Sequence, residues 1–263
     1  MVHADTGNTI NVCIGHASIP TEYFQYVDVM LSPRSIVGPR CNIVIPDTYF
    51  GQHGSSLSEY AQLLWLYDNF DAIIRTHEYI RLFQYRKFVS RRELGLPTAN
   101  WEGARWITES ELKSCSAEFS RSSTSELFNK AHAFAGGMVV QYQQCHQLID
   151  FIHFSKFLLE TAILDPLHVA LFLREQVVIP ASSVGVFRSI TLRQMLAVLR
   201  RAAEFINTNY FVPRQGYQRR VLSFLLERLN SYLLLVRIRS GQSEANFGHH
   251  IIISNGPVVS SSQ

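Results

Sequence analysis

The run Gln84-Tyr85-Arg86-Lys87 sets an amide, a phenol and two cations side by side, directly behind the apolar residues Tyr79, Ile80, Leu82 and Phe83. Arginine can grip a diphosphate through its bidentate fork, and lysine can neutralise it as a point charge. Two outcomes fit the pattern: a buried strand that simply emerges into water, or a strand end that holds an anion. A second set lies in "RRVLSFLLERL", Arg219 to Leu229. Laid out at about 100° per residue, Arg228 falls inside the stripe of Val221, Phe224, Leu225 and Tyr232, with Glu227 and Arg220 at its edge. A guanidinium turned into apolar surroundings is costly unless paired. Arg228 must therefore meet a carboxylate of the protein or the phosphate of a ligand.

Three further groups carry chemistry of a weaker kind. Gln141, Tyr142 and His146 stand in "QYQQCH", with the phenol and imidazole one helical turn apart on one face. Their plain reading is packing around a satisfied imidazole. His16 closes the first apolar run, "TINVCIGHAS". Glu59 follows Ser56 at the spacing of an S-x-x-E capping box, which gives it a structural explanation before any functional one. No glycine-rich phosphate loop, zinc-protease signature, nucleophile elbow or kinase set is present. The chain also lacks D-x-D, the carboxylate pair that holds a divalent metal against a diphosphate. "DNFD", Asp68 to Asp71, has the wrong spacing. A metal is not indicated, and the adjacent His249 and His250 would point to opposite faces of a strand.

The elements that must position these residues alternate. "TINVCI", "YVDVML" and "NIVIP" read as strands, and "YAQLLWLYDNF" as a helix buried on most sides. The strand over 79–88 follows. Strands apolar on both faces predict an α/β protein whose mainly parallel sheet is flanked by helices. The C-terminal half is helix-rich, with helices over about 141–163, 191–206 and 214–236, short strands at "QVVIPA" and "VGVFRSI", and a closing strand at "HHIIIS". Residues 91–130, with the Ser-rich "SRSSTSELFN", read as an irregular insertion and 254–263 as a flexible tail, within a single domain over 1–263. Ligands of open α/β sheets gather outside the carboxyl ends of the strands. His16 and the Gln84–Lys87 cluster both fall at such ends.

A chain of 263 residues, 47% hydrophobic and 17% charged, describes a globular protein, and a net charge of +3 without a dense basic run argues against nucleic acid as a partner. The four cysteines show no C-x-x-C pairing or metal-ligand spacing, so reduced thiols and a cytoplasmic location are expected. The start lacks the regions of a signal peptide, and no apolar run has the length of a membrane span. Contact with a membrane would be peripheral, through the basic, Leu-rich 214–239 helix.

Taken in order, a series of blocks resembles a bacterial family of glycosyltransferase-like proteins found in capsule and O-antigen gene clusters. The first strand ends in His16. "LSEYAQLLWLYDN" keeps Glu59, Trp65 and Asn69 of the pattern Y-C-E-L-T-A-x-Y-W-x-W-K-N. "YIRLFQYRKF" keeps Tyr79, Leu82, Tyr85, Arg86 and Phe88 of Y-x-G-L-x-H-Y-R-R-Y-F, and Q-Y-x-x-x-H returns as Gln141, Tyr142 and His146. R-V-x-G-F-L-x-E-R-L is followed at Arg220, Val221, Phe224, Leu225, Glu227, Arg228 and Leu229. Gln84 replaces the family's His, Lys87 its second Arg and Ser58 its Cys. The resemblance implies a GT-A-like, metal-independent hexosyltransferase. It would use a nucleotide diphosphate sugar, with no further cofactor, and a glycan or lipid-linked glycan acceptor. It places His16, Tyr85, Arg86, Lys87 and Arg228 beside the donor and offers Glu227 or Glu59 as the base. Gln84 cannot act as a base, so a non-catalytic subunit that binds glycan or nucleotide is the alternative.

Overall fold

The structure is a computed structural model that describes residues 7–15, 21–36, 38–39, 41–46, 49, 51–98 and 103–254. Strand β1 (Thr9–Ile14) is followed by the short α1 (Thr21–Phe24) and by β2 (Val29–Ser32) and β3 (Asn42–Val44). Helices α2 (Glu59–Asp68) and α3 (Phe70–Ile74) return the chain to β4 (Tyr79–Gln84). Crossovers of this kind make neighbours parallel. β3, β2, β1 and β4 accordingly lie in that order as one parallel group, in the register Val12↔Val29 and Val12↔Leu82.

Beyond β4 the sheet departs from the expected parallel form. The sequence predicts one strand over 79–88; instead Tyr85 and Arg86 form a two-residue turn, and β5 (Lys87–Ser90) runs back against β4. A connection that short permits only an antiparallel partner. Residues 91–130 are no insertion. They contribute β6 (Leu96–Pro97), β7 (Ala104–Thr108), α4 (Glu109–Leu112) and β8 (Glu126–Asn129) to the fold. β9 (His132–Ala133) pairs with β10 (Val177–Val178) in a separate small sheet. β11 (Gly185–Arg188) runs antiparallel between β4 and β8, and the long β12 (Ala245–Ser254) lies parallel to β8 and β7. β5 pairs with both β12 and β4, so part of the sheet closes on itself. The result is a mixed sheet rather than a mainly parallel one.

Alternation along β1 divides the core. Ile10, Val12 and Ile14 face a helical layer of α2, α5 (Gly137–Cys145), α6 (Leu148–Glu160), α7 (Pro166–Arg174), α8 (Ser189–Ala202) and α9 (Val221–Arg239). Cys13 faces the other side, a smaller core with Tyr23, Phe83, Phe88 and Phe119. There Arg81 is buried on β4. Its guanidinium donates to Asn11 Oδ1 (2.8 Å), the Ser120 carbonyl (2.6 Å) and Ser123 Oγ (3.1 Å), which ties the Ser-rich segment to the sheet. Burial lowers its pKa to about 10.

α9 is a central helix. Leu222, Ser223, Leu226, Asn230 and Leu234 are buried along with the predicted stripe, so its apolar surface is core and is not available to lipid. Among the described residues no helix is long and apolar enough to cross a membrane. All four cysteines are free. Residues 255–263 of the predicted tail lie outside the described residues.

Candidate active site

A cleft of about 290 Å³ opens at the carboxyl ends of β1 and β4. Ile14, Gly15, Gln84, Tyr85, Arg86 and Lys87 form one wall, and Glu59, Trp106, Arg220 and Ile252 complete it. The β4–β5 turn is fixed from both sides. The Tyr85 amide donates to the Ile14 carbonyl at 3.0 Å, and the Ile253 amide donates to the Arg86 carbonyl at 2.8 Å. Gly15 is required by close approach, because a Cβ there would stand 2.9 Å from Tyr85 Cβ.

Three cations therefore face one concavity. Arg86 is half-buried, and its guanidinium lies 5.2 Å from the centroid of its neighbour Tyr85. Among the described residues no acid pairs with it. Lys87 opens β5, where Ile252 is its register partner. Arg220 comes from a 3₁₀ turn, Gly216–Arg220, that leads into α9. Its Nη2 donates to Glu59 Oε2 at 2.9 Å, and its guanidinium carbon lies 5.4 Å from the Phe224 ring centroid. Its Nε is buried, with no hydrogen-bond partner among the described residues.

Glu59 does not do what its spacing predicts. α2 begins at Glu59 itself, its N-cap is Ser58, and no side chain caps it. Ser56 ends a preceding 3₁₀ turn, so no capping box forms. The carboxylate instead reaches Arg220, 161 positions along the chain. Burial would raise its pKa, but Ser58, Arg220 and Lys87 together hold it below the ordinary value. Ser58 adopts φ 49°, ψ −127°, a conformation that L residues rarely occupy. It lines a second and larger cleft, about 510 Å³, with Pro33, Ile45, Tyr49, Gln62, Arg219 and Arg220. Arg220 thus borders both clefts.

The remaining predicted residues form a partly buried network beside this site. Gln141 Oε1 accepts from Arg228 Nε and Nη2, and Glu227 Oε2 accepts from Arg228 Nη1 at 2.8 Å. The acid that the sequence demands for Arg228 is its own neighbour. Tyr142 lies beneath the Arg228 guanidinium at 5.8 Å and beside His146 at 4.8 Å. His146 stacks on Phe224 with centroids 4.0 Å apart and interacts with Gln218 Oε1 through Nδ1 at 3.2 Å. Burial, then the charge of Arg228, lowers the His146 pKa to about 4. Neither Glu227 nor Arg228 borders either cleft. His16 lies outside the described residues.

Trp106 is a cleft residue that the motifs do not contain. Its only signal was its place in "ARWIT", which reads as a strand only once β12 is beside it. His249 and His250 are separated by the pleat, with His250 buried. Among the described residues no cluster of three or more His, Cys, Asp or Glu side chains is placed to hold a metal ion.

The chain is similar to the apo structure of the bifunctional glycosyltransferase WbbM, with a TM-score of 0.67 at 12% sequence identity. The match covers 95% of this chain and 48% of that one, so this chain spans about half the length of that protein. At this identity the likeness is one of fold. No family model and no curated protein matches the sequence.

Proposed function

We propose that the chain is a GT-A-like glycosyltransferase that moves a hexose from a nucleotide diphosphate sugar to a hydroxyl of a surface-polysaccharide acceptor, without a divalent metal. The observation that carries this reading is the convergence of Arg86, Lys87 and Arg220 on one cleft at the carboxyl ends of two parallel strands. A departing nucleoside diphosphate gathers negative charge, and fixed cations stabilise that charge without reorganisation. Arg86 suits this task best, since no acid of the described residues competes for its fork. The fold likeness to a glycosyltransferase and the motif resemblance to the capsule and O-antigen family point the same way. The acceptor is a glycan or lipid-linked glycan. Arg228, Glu227, Gln141, Tyr142 and His146 support the site from behind.

The test is thermal unfolding with a panel of nucleoside diphosphates and nucleotide sugars. At least one, UDP or GDP first, raises the melting temperature, and Arg86→Ala abolishes the rise. No shift with any of them removes the reading.

A second reading, a non-catalytic subunit that binds glycan or nucleotide, is favoured by two features of the same cleft. Gln84 offers no titratable group, and Glu59, the one carboxylate that the described residues place there, is tied to Arg220. Nucleotide binding without hydrolysis or transfer across the donor panel would select it.

A further inference from the structure

We propose that Arg220 is an exchangeable partner: it holds the Glu59 carboxylate until a donor diphosphate enters the smaller cleft, then passes to that anion and leaves Glu59 as the base for the acceptor hydroxyl. This rests on the transferase reading above and assigns the two residues of the Arg220–Glu59 ion pair separate parts.

The geometry favours such an exchange. Guanidinium carries five N–H donors. At Arg220 the Glu59 contact uses Nη2, and Nε is buried without a hydrogen-bond partner among the described residues. The side chain is 39% exposed and that of Glu59 is 19% exposed, so the pair stands at a cleft wall rather than in the core. Standing at a cleft wall, the pair is open to competition from an anion that enters the cleft. A diphosphate presents more charge and more acceptor oxygens, and it suits the planar fork bidentately. Arg220 borders both clefts, so a modest rotation keeps it on a cleft wall.

The consequence for Glu59 follows from what faces it. Arg220 comes from the turn before α9, Lys87 from β5, Arg86 and Tyr85 from the β4–β5 turn, and Ser58 precedes it on its own element. A carboxylate clamped by a guanidinium is a poor base, because the positive charge stabilises its ionised form. When Arg220 turns to the donor, and the diphosphate brings negative charge into the cleft, the proton affinity of Glu59 rises. The acceptor oxygen then forms its bond to the anomeric carbon. The bond from that carbon to the β-phosphate oxygen breaks, with its electron pair leaving on the nucleoside diphosphate. The hydroxyl proton passes to Glu59 and is later lost to water. The base is thus armed only when the donor is in place, and this orders the reaction.

The alternative is that the pair merely staples α2 to the turn before α9. Calorimetric titration of the full chain with UDP, GDP, ADP and CDP, between pH 5 and 7 in buffers of different ionisation enthalpy, separates the two. Wild type is expected to take up a larger fraction of a proton on binding than Glu59→Gln, which also cancels the contribution of the nucleotide's own phosphate. Arg220→Gln weakens binding about tenfold or more, the loss of a charge-assisted pair. Arg220→Lys, which keeps the charge and loses the fork, gives a smaller loss and guards against a folding defect. Equal proton uptake in wild type and Glu59→Gln, with the nucleotide bound, overturns the exchange and leaves the transferase reading intact. Binding of no nucleoside diphosphate overturns that reading, and the exchange with it.

Discussion

Gln141 Oε1 accepts from both Nε (3.1 Å) and Nη2 (2.9 Å) of Arg228, so a neutral amide on α5 shares with Glu227 the burden of a buried cation on α9. The pair links two helices behind the cleft and touches neither cavity. Gln141→Ala leaves two guanidinium donors buried without an acceptor, which costs about 1–3 kcal/mol of stability, read by urea unfolding. Nucleotide affinity in Arg228→Met, measured on the folded fraction, stays within about twofold of wild type. A much larger loss would return Arg228 to the donor site.

Trp106 supplies a local reporter. It lines the cleft on β7, in register with Ile252 of β12, which is itself in register with Lys87 of β5. Binding of a nucleoside diphosphate in this cleft is expected to change indole emission, and Trp106→Phe to remove most of that change. The change persisting undiminished in the variant would place the ligand elsewhere.

The pH dependence of stability follows from two buried imidazoles. Burial, then Arg228, lowers the His146 pKa to about 4, and burial, then Lys87, lowers that of His250 to about 3. Both lie below the ordinary value of 6.5, so between these limits the unfolded chain binds more protons than the folded one. Stability is therefore full above pH 6.5 and falls as pH drops toward 4, by up to about 1.4 kcal/mol per unit for each residue. Glu59, held below its ordinary 4.5, adds its own loss only below that point. His146→Phe keeps the stacking on Phe224 and discards one titration, so the slope between pH 6 and 4.5 is expected to fall by roughly half. An unchanged slope would remove His146 from the account.

These residues also show how much the sequence disclosed. The parallel group of β1 to β4 was legible because strands apolar on both faces, with a helix between, admit few arrangements. The β4–β5 turn was not, since Tyr85 and Arg86 carry none of the Gly or Asn signature of a tight hairpin. β7 and β8 are short and sit among Ser and charged residues, and only their pairing with β12 makes them strands. α7 does not appear in the helices read from the sequence, although it carries a local start signal: Asp165, whose side chain accepts from the His168 amide at 2.8 Å, and Pro166 in the first turn. In the site, Arg86 and Lys87 were visible as a cluster. The contact of Glu59 with Arg220 was not, because local spacing gave Glu59 a complete explanation as a cap, and no local pattern reports a partner 161 residues away.

The backbone of Ser58 is under strain. At φ 49° and ψ −127° it directly precedes Glu59, lines the larger cleft and leaves α2 without a side-chain cap. Conformations this sparsely populated cost on the order of 1–3 kcal/mol for a residue with a Cβ. Glycine has none and occupies such regions at little steric cost. Ser58→Ala keeps the strain and discards the hydroxyl that helps hold Glu59 ionised, whereas Ser58→Gly discards the hydroxyl and relieves the strain. The glycine variant is expected to be more stable than the alanine variant by about 1 kcal/mol in urea unfolding. Because both lose the same hydroxyl, the pH dependence of nucleotide binding should shift alike in the two. Equal stabilities would mean that the backbone relaxes freely there, and a pH shift in neither would mean that the hydroxyl does not reach the carboxylate.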